Sequence, residues 1–143
     1  MDDAGLIAAY HGTSYQVLDQ RGAILAAIRI GEFSREIDAV LTGHGAASGV
    51  FMTGWNPRSA PTERGLNEAA HRRLANELRA RGVLFLPHRG VGADPRWSEE
   101  GMFALDLAIA EALELALAFG QYAIVAVHAG EPARLLLTSL LAR

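Results

Sequence analysis

Asn56, Arg58 and Ser59, with Asn67 downstream, form the densest set of chemically useful side chains in the chain, inside Thr53-Gly54-Trp55-Asn56-Pro57-Arg58-Ser59. An asparagine amide offers two donors and two acceptors, a serine its hydroxyl, and an arginine a planar cationic fork. The stretch lies where an apolar strand-like run stops and a long helical pattern starts near Pro61 and Thr62. A helix start adds free backbone N–H groups and the positive dipole end, so the expected chemistry is capture of a small polar or anionic ligand. The same residues also suit a plain capped turn, with Asn56 held extended before Pro57 and Ser59 or Thr62 as the cap.

Three further groups are candidates to join them. Asn67 and His71 fall four apart, on one helix face. Glu99, in Trp97-Ser98-Glu99-Glu100-Gly101, is the only candidate general acid or base. Gln121, in Phe119-Gly120-Gln121-Tyr122, sits at a helix-to-strand turn, where it either meets a ligand or satisfies a C-terminal carbonyl. Solvent-facing placements of Asn67 and of the Glu99-Glu100 pair are the competing readings.

Other chemistries are excluded or unsupported. Cysteine is absent, which removes disulfides, thiolate catalysis and cysteine-type zinc sites. All 13 basic residues are arginine, so no lysine can form a Schiff base or a Walker-type phosphate grip. His11, His44, His71, His88 and His128 lack HExxH-like spacing, and no metal or cofactor is expected. Gly43-His44-Gly45 and Gly90-Val91-Gly92 match no nucleotide fingerprint. Net charge is −3, yet residues 58–97 hold eight arginines against four acids. That local excess could attract an anion or simply mark a solvated helix.

The elements that must position these groups follow from periodicity. Strands are expected at Tyr15–Leu18 and Ala23–Ile30 around an Asp19–Gly22 turn, then a helix from Ser34 to Gly43 and a strand at Ser48–Thr53. Thr62 opens the longest helix, with Leu66, Ala70, Leu74 and Leu78 on one stripe, closed by Arg79, Arg81 and Gly82. Val83–Leu86 is a strand, His88–Trp97 a glycine- and proline-rich loop, Met102–Leu107 a strand and Ala108–Phe119 a helix. Tyr122–His128 and Arg134–Thr138 close the chain as strands.

The predicted fold is therefore a single α+β domain, 1–143, with element order ββαβαββαββ. It is read as a two-layer sandwich, a mixed, mostly antiparallel sheet with helices on one face. Its middle has the ferredoxin-like order βαββαβ. The acidic Met1-Asp2-Asp3 start lacks a basic signal region, and Met102–Phe119 is interrupted by Asp106, Glu111 and Glu114. A cytoplasmic location without membrane contact is expected.

Four stretches in order resemble the bacterial domain-of-unknown-function family 3293. They are Thr13-Ser14-Tyr15, the Trp55-Asn56-Pro57 loop with Asn67, Glu99-Glu100-Gly101, and Phe119-Gly120-Gln121-Tyr122-Ala123-Ile124. Three positions depart from the family pattern: Gly54 where alanine is usual, Gly101 where serine is frequent, and Tyr122 where asparagine is common. The resemblance implies a compact cytosolic domain and no established activity, substrate or cofactor.

Two classes of function follow. The first is binding of a small polar or anionic ligand by Asn56, Arg58, Ser59, Asn67 and Gln121, with Glu99 for any proton transfer; it requires Asn56 and Glu99 at the same end of the sheet. The second is an interaction or homo-oligomerisation module in which Arg134–Leu141 pairs with another chain. Nucleic-acid binding through the arginine-rich middle is the weakest, given the net negative charge.

Overall fold

The computed structural model of the chain describes residues 2–141. The segment before the first hairpin is helical. α1 spans Asp3–His11 and is capped by Asp2, whose side chain accepts from the Gly5 N–H at 2.8 Å. The expected order ββαβαββαββ thus gains a helix at its start. β1 (Ser14–Leu18) and β2 (Ile24–Ile28) follow, joined by a turn in which Asp19 Oδ1 accepts from the N–H groups of Arg21 and Ala23. Next come α2 (Arg35–Gly43), capped by Ser34, then β3 (Ser48–Met52), a 3-10 turn at Pro57–Ser59 and α3 (Arg64–Ala80). β4 (Phe85–Val91), β5 (Ser98–Leu105), α4 (Ile109–Ala118), β6 (Ala123–His128) and β7 (Arg134–Leu137) complete the fold.

The seven strands form one sheet in the order β2-β1-β4-β5-β3-β6-β7. Every pairing among the described residues is antiparallel, which corrects the expectation of a mixed sheet. The far edges meet at one end, where Gly31 N–H donates to Ala133 C=O at 2.8 Å and Ala133 N–H to Glu32 C=O at 2.9 Å. The sheet is therefore curled, in keeping with the twist that antiparallel strands accumulate.

Side chains alternate across it. Val50, Met52, Met102, Ala104, Ile124 and Ala126 face α3 and α4, whose Leu74, Leu78 and Leu115 fill the same core. Phe51, Phe103, Leu105, Val125 and Val127 point the other way, where Ile37 and Leu41 of α2 pack with Val17 and Ile28. α2 thus covers the face opposite α3 and α4, and the expected arrangement with helices on one face does not hold. A short helix ending in Gly43, with Ile37 and Leu41 one turn apart, has an apolar stripe that can seal either face; helical periodicity alone does not choose between them.

Two local corrections matter for the site. β4 runs through Val91 and β5 begins at Ser98, with Gly90 opposite Glu99, so the expected loop from His88 shortens to residues 92–97 and the two glutamates lie within a strand. On α3, Leu66 is 62% exposed whereas Asn67 is 3% exposed, so the buried stripe starts one residue later than the apolar pattern indicated. No helix among the described residues is long and apolar enough to cross a membrane.

Candidate functional site

The loop after β3 is held in an unusual backbone conformation. Asn56, Arg58 and Ser59 have φ of 46°, 57° and 56°. Asparagine tolerates the left-handed region, but arginine and serine pay roughly 1 kcal/mol or more each to enter it. Such strain persists only where surrounding contacts determine it, and they are present here. Asn56 N–H donates to Asn67 Oδ1 at 2.9 Å, and Asn67 Nδ2 donates back to Asn56 Oδ1 at 3.0 Å and to Thr62 C=O at 3.1 Å. Thr62 N–H donates to the same Asn56 Oδ1 at 3.0 Å. Gln121 Nε2 donates to Trp55 C=O at 3.0 Å, and Arg58 N–H to Gly120 C=O at 2.8 Å.

The close approach of loop and helix also restricts residue size. A Cβ on Gly54 would lie 3.2 Å from the Ala70 backbone, tighter than ordinary contact. Thr53 ties the loop to β5 through its hydroxyl, which donates to Glu100 C=O at 2.6 Å.

The remaining amide valence of Asn56 reaches Glu99. Its Nδ2 donates to Glu99 Oε2 at 2.9 Å, while Oε1 has no hydrogen-bond partner among the described residues. The loop at the end of β3 and the first residues of β5 lie side by side because the two strands are antiparallel neighbours, with Met52 opposite Met102. Glu99 faces the α2 side of the sheet, sharing a cross-strand row with Gly90 and Tyr15. Glu100 points to the other face and pairs with Arg89 at 3.0 Å.

Burial pushes the Glu99 carboxyl up to about 7, against the opposing effect of the Asn56 hydrogen bond. Two tyrosines lie within electrostatic reach of this carboxyl. Tyr10, on α1, is pushed up to about 12 by burial, with nearby Ser59 opposing the shift and Glu99 and Tyr122 adding to it. Tyr15 is raised by burial and then by Tyr10 and Glu99, and its hydroxyl donates to Tyr10 C=O at 3.4 Å.

His88 lies two residues along β4 on the same face, stacked on Tyr15 with ring centroids 6.0 Å apart and edge-on to Phe51 at 4.9 Å. Burial lowers it to about 4, so it is neutral at ordinary pH. A Cβ on Gly101 would collide with Met52 C=O and with His88 Cδ2, so this chain has no room there for the serine that the resemblance would supply.

Asn56 and Glu99 thus meet, whereas Asn67 and the Gln121 Nε2 group hold the loop. The Arg58 side chain is exposed and has no ion pair among the described residues. α3 starts at Arg64 behind Glu63, so an acid rather than an open anion cradle occupies its N-cap position. Two buried polar atoms near this region, Trp55 Nε1 and His71 Nδ1, have no hydrogen-bond partner among the described residues. Among the described residues, no group of three or more His, Asp or Glu side chains is placed to hold a metal ion. The residues that pattern reading missed are Tyr10 and Tyr15; the Asp2 cap was the available sign that a helix carries Tyr10.

Searches of curated proteins and of solved structures return no match. A protein-family model matches residues 52–124, just over half of the chain. The matched span holds Asn56, Arg58, Ser59, Asn67, Glu99 and Gln121, while Tyr10 and Tyr15 lie before it. The chain belongs to the family described as protein of unknown function, DUF3293.

Proposed function

We propose that the Trp-Asn-Pro loop binds a small polar ligand against Glu99, and that Glu99 serves as the proton donor or acceptor of any reaction there. The observation that carries this reading is the 2.9 Å bond from Asn56 to a partly buried carboxyl whose other oxygen takes no hydrogen bond among the described residues. Support comes from the loop itself, where three non-glycine residues with positive φ within four positions are held by amide contacts. Asn67 and Gln121 act as positioning residues in this reading. Arg58, at the exposed rim, is the one group of the loop suited to an anionic end of the ligand.

A thermal-shift screen of polar metabolite-like compounds tests the proposal, run in parallel on wild type and Ser59→Ala. A ligand shift in wild type that weakens in the variant supports it. A ligand shift unchanged by both Ser59→Ala and Glu99→Gln places binding elsewhere and contradicts it.

The segment β3–β6 is further read as a ferredoxin-like split βαβ, supported by the neighbour order β4-β5-β3-β6. The cysteine-free composition supports a cytoplasmic setting.

A second reading, an interaction module without catalysis, is favoured by the edge strand β2, where Ile24 and Leu25 are 58% and 47% exposed. The β7 edge suits it less, because Leu135 and Leu136 pack against the two cores. Light scattering distinguishes the two: a dimer that Leu25→Lys dissociates supports this reading, and a monomer at all concentrations opposes it.

A further inference from the structure

We propose that His88 is the inner partner of Glu99, its Nε2 aimed at the carboxyl across Gly90. One proton passes between the two groups through a single bridging oxygen, from a water or a ligand hydroxyl. The inference rests on the proton-transfer role proposed for Glu99 and adds a positioning residue that acts through it.

The register places the pair. His88 lies opposite Gly101 and Gly90 opposite Glu99, so the imidazole and the carboxyl take diagonal corners of a block whose other corners are glycines. Such diagonal positions are roughly 7–8 Å apart, within reach of a ring and a long side chain. The imidazole is turned along that diagonal. Its Cε1 is 3.6 Å from where a Cβ on Gly90 would stand, and its Cδ2 is 2.7 Å from that of Gly101. Nε2, bonded to both carbons, therefore points between the two glycines and toward Glu99.

Nδ1 is turned the other way, 3.3 Å from Gln16 C=O on β1, which flanks β4 on the side away from β5. A carbonyl only accepts, so Nδ1 carries the proton and Nε2 is an acceptor, with no hydrogen-bond partner among the described residues. Stacking on Tyr15 and the edge contact with Phe51 fix the ring plane.

The region between the pair suits one oxygen atom. No hydrogen bond joins the two groups directly among the described residues. A Cβ on Gly90 would make only ordinary contacts, 3.6 Å from His88 Cε1 and from Thr13 Cγ2, so a group of that size fits over Gly90. On the carboxyl, Asn56 occupies Oε2 and leaves Oε1 for the bridge. Glu99 is partly buried and forms the outer end, where a ligand meets it, and His88, 3% exposed, forms the inner end. Tyr15 and Tyr10 lie within electrostatic reach of Glu99, and His71 of α3 within reach of His88; Arg89 and Glu100 pair on the opposite face.

Burial raises the carboxyl and lowers the imidazole, so the resting proton sits on Glu99. In transfer, Glu99 Oε1–H donates to the bridging oxygen, which gives its own proton to Nε2. Carboxylate and imidazolium result, and the return reverses both steps.

Imidazole nitrogen and carboxyl carbon NMR on the intact, ligand-free protein tests the pairing. His88 is expected as the Nδ1–H tautomer, and its Nε2 signal should step together with the Glu99 carboxyl at about pH 7. Glu99→Gln should remove the step. Gly90→Ala, accommodated at ordinary contact distances, fills the bridge position and should remove most of it while Glu99 still titrates. An Nε2–H tautomer, or an Nε2 signal that stays flat while Glu99 titrates, overturns the pairing and leaves the loop as a ligand site. A step of undiminished size in folded Gly90→Ala protein overturns it equally. The step in wild type, lost in Glu99→Gln, together with a thermal-shift screen that finds no ligand, supports the pair and counts against the loop reading alone.

Discussion

Glu99 and Glu100 are neighbours on β5, yet the pleat sends them to opposite faces of the sheet and into different electrostatic conditions. Glu100 turns toward the α3 side, half in solvent, and meets Arg89 at 3.0 Å. Glu99 turns toward the α2 side, in the cross-strand row of Tyr15, and among the described residues meets only a neutral amide, at 2.9 Å. The first is an ordinary partly exposed ion pair, worth under about 1 kcal/mol. The second is a partly buried carboxyl without a counter-charge among the described residues, an arrangement that costs stability when the group is ionised. A fold built only for stability has little use for it, which is why the pair points to a site on one face and not on the other.

The largest effect should come from breaking the clasp that holds the Glu99 side in place. Asn56→Ala removes the acceptor for Thr62 N–H and Asn67 Nδ2 and the donor to Glu99, and leaves a non-glycine residue at positive φ. Urea denaturation is expected to show a loss of about 3–5 kcal/mol. Asn56→Gly loses the same bonds but relaxes the backbone, and should recover roughly 1 kcal/mol of that loss.

Next in size is Glu99→Gln, which keeps an oxygen for Asn56 Nδ2 and removes the charge. The folded carboxyl holds its proton up to about pH 7, whereas the unfolded one releases it near 4.5. Stability from this group is therefore present in acid and is lost as pH rises between those values. The variant should be more stable than wild type by about 2–3 kcal/mol near pH 8, with the difference vanishing near pH 4.5. His88 acts in the opposite sense, since its lowered value makes stability fall as pH drops from about 6.5 toward 4. The two slopes partly cancel in wild type, and Glu99→Gln should expose the histidine's acid-side loss.

The smallest change is expected for Glu100→Gln. Its partner Arg89 is about as exposed as itself, at 36% and 38%, so denaturation should shift by less than about 1 kcal/mol. A Glu100→Gln effect equal to that of Glu99→Gln would dissolve the comparison.

Much of this was legible in the sequence because it depends on order and spacing. Asn56 at a strand end and Glu99 at an adjoining strand start are brought together by antiparallel pairing alone, and the apolar runs of β3, β5 and β6 mark the middle of the sheet. What escaped depends on burial, which composition does not report. Leu66 and Asn67 exchange the roles their polarity suggests: the leucine faces solvent because the stripe of α3 turns past it, and the asparagine is buried because the loop supplies a partner for its amide oxygen and both donors. Tyr10 stayed hidden because α1, DAGLIAAYH, has apolar residues on all sides and so no stripe to read, with only the Asp2 cap to announce it. The side chosen by α2 depends on the curl of the sheet, a property of all seven strands together.

The central claim, that the fold partly buries Glu99 without a counter-charge to make a site, is tested most directly by a carbon-detected NMR titration of the side-chain carboxyls. The account predicts a Glu99 midpoint of about 7 in the wild-type protein. A Glu99 midpoint in the ordinary carboxylate range, near 4.5, would contradict it.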